Sequence, residues 1–148
     1  MVYLFDFVYR TIVDLGYLFR SKQKLINKTR IFSCFLKLTT KCRLFDSLNI
    51  KNENILGKRV SSFSYSSIKF LFNQIFLTNS YFFTAKRKNP IILDCGANIG
   101  MATLYFKFLY PYSQIHSFEP DKKTFNVLEK NVNQNNLRDV FIYNFALA

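Results

Sequence analysis

Residues Ile91-Ile92-Leu93-Asp94-Cys95-Gly96-Ala97-Asn98-Ile99-Gly100 carry a compact message. A short, wholly apolar run ends in a carboxylate, and small residues then bracket a bend. Apolar strands of this kind suit a sheet covered on both faces. Gly96 and Gly100 lack a Cβ, so they permit positive φ and close backbone approach. A helix pattern follows at once and runs to about Tyr110, where Pro111 stops it. Ile115–Phe118 is a second strand. Pro120 opens a second helix, with Asp121 in its first turn, where the helix dipole favours a carboxylate. Phe125, Leu128 and Val132 form that helix's apolar stripe, and Val140–Phe145 is a third strand. The order β-α-β-α-β predicts an α/β fold with a parallel sheet. Right-handed crossovers place both helices on one side of it.

The loop selects among ligands. In open α/β sheets, ligands bind at the carboxyl ends of the strands. A phosphate loop ends in Lys-Ser/Thr, and here Met101-Ala102 follow Gly100. A dinucleotide fingerprint begun at Gly96 needs glycines where Asn98 and Met101 stand. Asp94 would also repel a pyrophosphate. S-adenosyl-L-methionine carries an ammonium and a sulfonium, and a strand-end carboxylate suits it. Glu119, at the end of the second strand, stands where an acid hydrogen-bonds both hydroxyls of an adenosine ribose.

The pieces NPIILDCGANIG, TLYFKFLYP, SFEPD, TFNVLEKNV and VFIYNFAL, with FNQIFLTNSYFF upstream, resemble the FkbM family of methyltransferases. The resemblance spans roughly residues 66–148. It implies the Rossmann-like class I methyltransferase fold and O-methylation of a hydroxyl on a sugar or glycan-type acceptor. It also implies roles. Asp94 would orient the methionine amino group, and Gly96 and Gly100 would let backbone approach the cofactor. Asn98 would lie near the methionine carboxylate, and Glu119 would bind the ribose. Asn144 and Ala146 would lie near adenine. No general base stands out in residues 91–148, and Tyr81 is a distant candidate for a wall or proton relay. The family continues with a fourth strand beside the first. The chain therefore reads as truncated after the third strand, with one sheet face and one edge left open.

Residues 1–65 read differently, as a basic, aromatic-rich helical extension. Residues 1–90 carry sixteen Lys and Arg against four Asp and Glu, whereas 91–148 carry five of each. All of the net charge of +12 thus sits in the first part. Such an arm can face anionic lipid or another polyanion, or can be a solvated helix surface. Nucleic acid is not among the expected partners. Residues 3–20 predict an amphipathic helix with Leu4, Val8, Ile12, Leu15 and Phe19 on one apolar stripe, which packs on its own domain or lies on a membrane surface. Asp6, Arg10 and Asp14 interrupt it, so it is not a spanning segment. Residues 46–65 read as a linker, and Ser66–Leu77 as a helix.

Cys34, Cys42 and Cys95 are odd in number and have no metal-ligand spacing, which fits a reducing, cytoplasmic setting and no metal site. Peripheral membrane contact is one role for the arm. The competing reading is a non-catalytic remnant or a membrane- or polyanion-binding module acting through residues 1–65.

Overall fold

The computed structural model describes residues 2–20, 25–45 and 51–147. The chain forms two compact units: Met1–Asp46 with Tyr65–Phe82, and Ser47–Ser64 with Phe83–Ala148.

The first unit is helical. It contains α1 (Val2–Arg20), α2 (Leu25–Phe45) and α3 (Tyr65–Phe72), the last continued by a π-helical turn, Asn73–Leu77. Ile31, Phe35 and Leu38 of α2 are buried, as are Ile68 and Phe72 of α3 and Ile75, Phe76 and Leu77 of the turn. Phe72 and Phe76 stack at 5.1 Å. The Lys28 ammonium donates to the Phe19 carbonyl at 2.7 Å, which satisfies one of the orphan acceptors at the end of α1. The buried side of α1 is not the expected stripe. Leu18 is buried, whereas Ile12 and Phe19 are exposed. Leu4, Val8, Asp6, Arg10 and Asp14 lie outside the described side chains.

The second unit corrects the expected linker. Residues 51–62 form a hairpin of β1 (Lys51–Ile55) and β2 (Lys58–Ser62), paired antiparallel from Lys51↔Ser62 to Ile55↔Lys58. Leu56 and Gly57 turn the chain with φ of 52° and 86°. Positive φ at both central residues is the type I′ geometry that matches strand twist. Polar residues hid this hairpin. Its alternation is one of burial, with Lys51, Glu53 and Ile55 inside, and not one of hydropathy.

The remainder is the expected α/β unit: β3 (Ile91–Cys95), α4 (Met101–Leu109), β4 (Gln114–Phe118), α5 (Lys122–Gln134) and β5 (Val140–Tyr143). The strands are parallel in the order β3-β4-β5. Register puts Ile92, Ile115 and Val140 on one face, with Asp94, Ser117 and Ile142 beside them. Both helices cover this face. Thr103 of α4 bonds to Asp94 and Ser117, while Phe125, Leu128 and Val132 of α5 pack with Val140 and Ile142. On the other face Ile91, Leu93 and Phe141 are exposed. Asp121 sits one step before the helix. As N-cap of α5 it accepts from the Thr124 hydroxyl at 2.7 Å and the Thr124 N–H at 2.8 Å, and the hydroxyl bond first, then the N–H bond, holds its carboxyl below the usual range.

Candidate functional site

Strand alternation turns Asp94 toward α4, where it is buried. Its Oδ2 accepts from the Thr103 hydroxyl at 2.9 Å, and that hydroxyl also lies 2.9 Å from Ser117 Oγ. Burial raises the Asp94 carboxyl above its ordinary value. The Thr103 bond acts the other way, and the charge of Glu119 adds to the rise.

The loop after β3 bends through three left-handed residues, Gly96 (φ 94°), Asn98 (φ 52°) and Gly100 (φ 85°). The two glycines are required for different reasons. A Cβ on Gly96 would meet nothing within 4 Å, so only its backbone angle excludes other residues. A Cβ on Gly100 would stand 2.7 Å from Leu128 Cδ1, which belongs to the buried face of α5.

The loop's amides are all engaged inside the protein. The N–H groups of Gly96 and Ala97 both donate to the Phe118 carbonyl at 2.9 Å. Asn98 N–H donates to Glu119 Oε2 at 2.9 Å, Ile99 N–H to Asn98 Oδ1 at 2.7 Å, and Gly100 N–H to the Ala97 carbonyl at 2.8 Å. Anion-binding loops work by aiming such donors at a ligand. Residues 96–100 leave none of theirs free, and the side chains offered are the acceptors Asp94 and Glu119. This chemistry repels phosphate and suits a ligand that brings its own N–H, O–H or positive charge.

Glu119 joins the second strand to this loop. Besides Asn98 N–H on Oε2, it accepts Asp121 N–H on Oε1 at 3.0 Å. Each oxygen keeps a second lone pair. The Asn144 amide donates to the carbonyls of Glu119 and Pro120 at 2.9 and 3.1 Å, so it ties the ends of β4 and β5 together. Asp94, Gly96, Asn98, Gly100 and Glu119 therefore form one connected cluster. Ala146 lies beyond β5 and is exposed, and Tyr81 belongs to the first unit.

One residue of this region escapes sequence reading. Asn131 is buried in α5, where its Nδ2 donates to the Ile99 carbonyl at 2.7 Å and to the Ser61 carbonyl at 3.0 Å. Its Oδ1 accepts Ser61 N–H at 2.7 Å. It thus clamps the hairpin to the loop. The available signal was its phase, because Phe125, Leu128 and Asn131 recur every third residue and place a polar side chain on the apolar stripe.

His116 is half-buried on the open sheet face. It stacks on Phe141 at 5.0 Å, with Nδ1 at 3.1 Å from the Tyr143 hydroxyl and Nε2 at 3.2 Å from Gln114. Among the described residues, no group of three His, Cys, Asp or Glu could hold a metal. Cys34, Cys42 and Cys95 are free thiols.

Three parallel strands with both crossover helices on one face, and an acid-lined loop at the carboxyl ends, define a Rossmann-like α/β unit. The sequences similar to it are those of methyltransferases. Methyltransferase sdnD of Sordaria araneosa is 38% identical over 82 residues, 54% of this chain and 32% of that protein. The 31-O-demethyl-FK506 methyltransferase FkbM of Streptomyces tacrolimicus is 31% identical over 77 residues, 51% of this chain and 30% of that protein. The matched half of the chain is thus similar in sequence to methyltransferases, FkbM among them, and the chain spans about a third of the length of these relatives. No family model matches. Among solved structures, M. jannaschii TYW2 in complex with AdoMet is similar with a TM-score of 0.49 and 16% identity, over 67% of this chain and 44% of that one.

Proposed function

We propose that this chain holds S-adenosyl-L-methionine in the bend after β3 and contributes to transfer of its methyl group to a hydroxyl of a sugar or glycan-type acceptor. Residues 66–148 are the N-terminal half of the methyltransferase domain, to which the hairpin 51–62 is added, and the protein works in the cytoplasm. The bound cofactor supplies a methyl carbon on a sulfonium, already activated for in-line displacement. This chain's residues bind and orient it.

Glu119 takes the ribose hydroxyls on the lone pairs that Asn98 and Asp121 leave unused. Asp94 orients the methionine ammonium and is in turn held by Thr103. Gly96 lets backbone approach the ligand across the space above it. Asn98, in its left-handed conformation, lies toward the methionine carboxylate, and Gly100 admits the α5 packing that fixes the bend. The observation that carries this reading is the complete internal use of the amides of residues 96–100 beside two buried carboxylates. The sugar-type acceptor rests on the FkbM resemblance.

Titration calorimetry tests the cofactor assignment. S-adenosylmethionine should bind, while ATP and NAD should not, and Asp94→Ala and Glu119→Ala should each weaken binding. Preference for a phosphate-bearing nucleotide, or unchanged affinity in both variants, would overturn the reading.

A further inference from the structure

Helix α1 is apolar on two sides. At about 100° per residue, Thr11, Leu15 and Leu18 fall on one side, and Leu18 is only 1% exposed. Tyr9, Ile12, Val13, Tyr17 and Phe19 fall on the other, within an arc of about 160°. There Tyr9 is 67%, Ile12 63%, Tyr17 53% and Phe19 63% exposed. Arg20 lies in the same arc and is exposed. At the start of α2, Leu25 and Ile26 are also exposed. Lys28 of α2 bonds the Phe19 carbonyl of α1.

A water-facing helix side made of Tyr, Ile, Val and Phe needs an occupant. Charge selects it. The residues of this unit include ten Lys and Arg and three Asp. Two copies meeting face to face would bring like charges together. A nucleic acid would need several cations on the contact face, and the described part of this arc carries one. Tyr and Phe with basic neighbours suit the boundary between headgroups and acyl chains, where rings are buried and cations stay at the anionic surface. Insertion is peripheral, since no helix among the described residues is long and apolar enough to cross a bilayer.

We propose that the Tyr9–Ile12–Val13–Tyr17–Phe19 face of α1 lies in the interfacial layer of an anionic lipid membrane, to which the unit's excess of Lys and Arg over Asp attracts it. This is independent of the cofactor assignment.

Co-sedimentation of the full chain with vesicles tests it, using phosphatidylcholine alone or mixed with phosphatidylserine. Binding is expected to the mixed vesicles, and to fall at least ~10-fold between about 0.1 M and about 1 M salt, as the screening length drops from ~10 to ~3 Å. Ile12→Glu and Tyr17→Glu, both at exposed positions, should each lower binding by about 10-fold or more, with circular dichroism unchanged. The chain has no Trp, so Ile12→Trp supplies a unique reporter whose emission should shift to the blue on mixed vesicles. An absence of vesicle binding overturns the proposal. So do salt-insensitive binding equal on both vesicle types, an indole emission unmoved by lipid in the Ile12→Trp variant, and a dimer in sedimentation that Ile12→Glu dissociates while vesicles are ignored.

Discussion

Glu119 Oε2 and the Asn98 N–H meet at 2.9 Å, so the acid at the end of β4 holds the bend that follows β3. A residue proposed to bind ribose is also a structural latch. Asn98 has φ of 52°, a left-handed angle that Asn adopts more readily than other non-glycine residues because its side chain bonds locally, here to the Ile99 N–H. The bond from the Asn98 N–H to a carboxylate, about 1.5–3 kcal/mol for such pairs, holds it there.

The double duty of Glu119 makes its variants separable. Glu119→Gln retains one acceptor oxygen and should keep the fold while losing about 10-fold in S-adenosylmethionine affinity, roughly one charge-assisted hydrogen bond. Glu119→Ala should lose more and should also speed hydrogen exchange at the Asn98 amide. Slow exchange at Asn98 in the alanine variant would show that the latch holds nothing.

The Asp94 carboxyl is raised above 3.8, chiefly by burial. The folded state therefore binds more protons than the unfolded state in the window opening at 3.8, and this group's contribution to stability falls as pH rises through it. Asp94→Asn should remove that slope and stabilise the free protein at neutral pH. A cationic ligand favours the ionised form, so cofactor binding should tighten as pH rises through the same window. Thr103→Val removes the bond that opposes the shift and should move the window upward. A pH-independent affinity across it would dissociate Asp94 from the ligand.

Asn131→Leu strips partners from Ser61 N–H and from the carbonyls of Ser61 and Ile99. Each buried group left unpaired costs ~1–3 kcal/mol, so a loss of about 3 kcal/mol or more is expected in urea unfolding. A loss below ~1 kcal/mol would remove Asn131 from the brace between hairpin and loop.

The two loop glycines should respond unequally. Gly96→Ala meets open space and should cost only the left-handed strain, roughly 1–2 kcal/mol. Gly100→Ala adds a 2.7 Å clash with Leu128 Cδ1, and overpacking of this kind costs about 1–3 kcal/mol more. Paired with Leu128→Ala, Gly100→Ala should show a favourable coupling in thermal or urea unfolding. Equal costs at the two positions would contradict the steric role of Gly100.

The sequence by itself determined the β-α-β-α-β order, the bend at Gly96–Gly100 and the pairing of Asp94 with Glu119 as acids at the strand ends. These are local signals: apolar runs, helix stops and glycines report what the backbone does within a few residues. Tertiary structure alone decided that residues 51–62 are a hairpin, that Asn131 clamps Ser61 to Ile99, and that Ile12 and Phe19 of α1 face outward. A polar side chain such as Lys51, Glu53 or Asn131 goes inside only when a distant partner arrives, and Ser61 lies seventy residues from Asn131. A helix with apolar residues on two sides likewise leaves its buried side to whichever neighbour packs first.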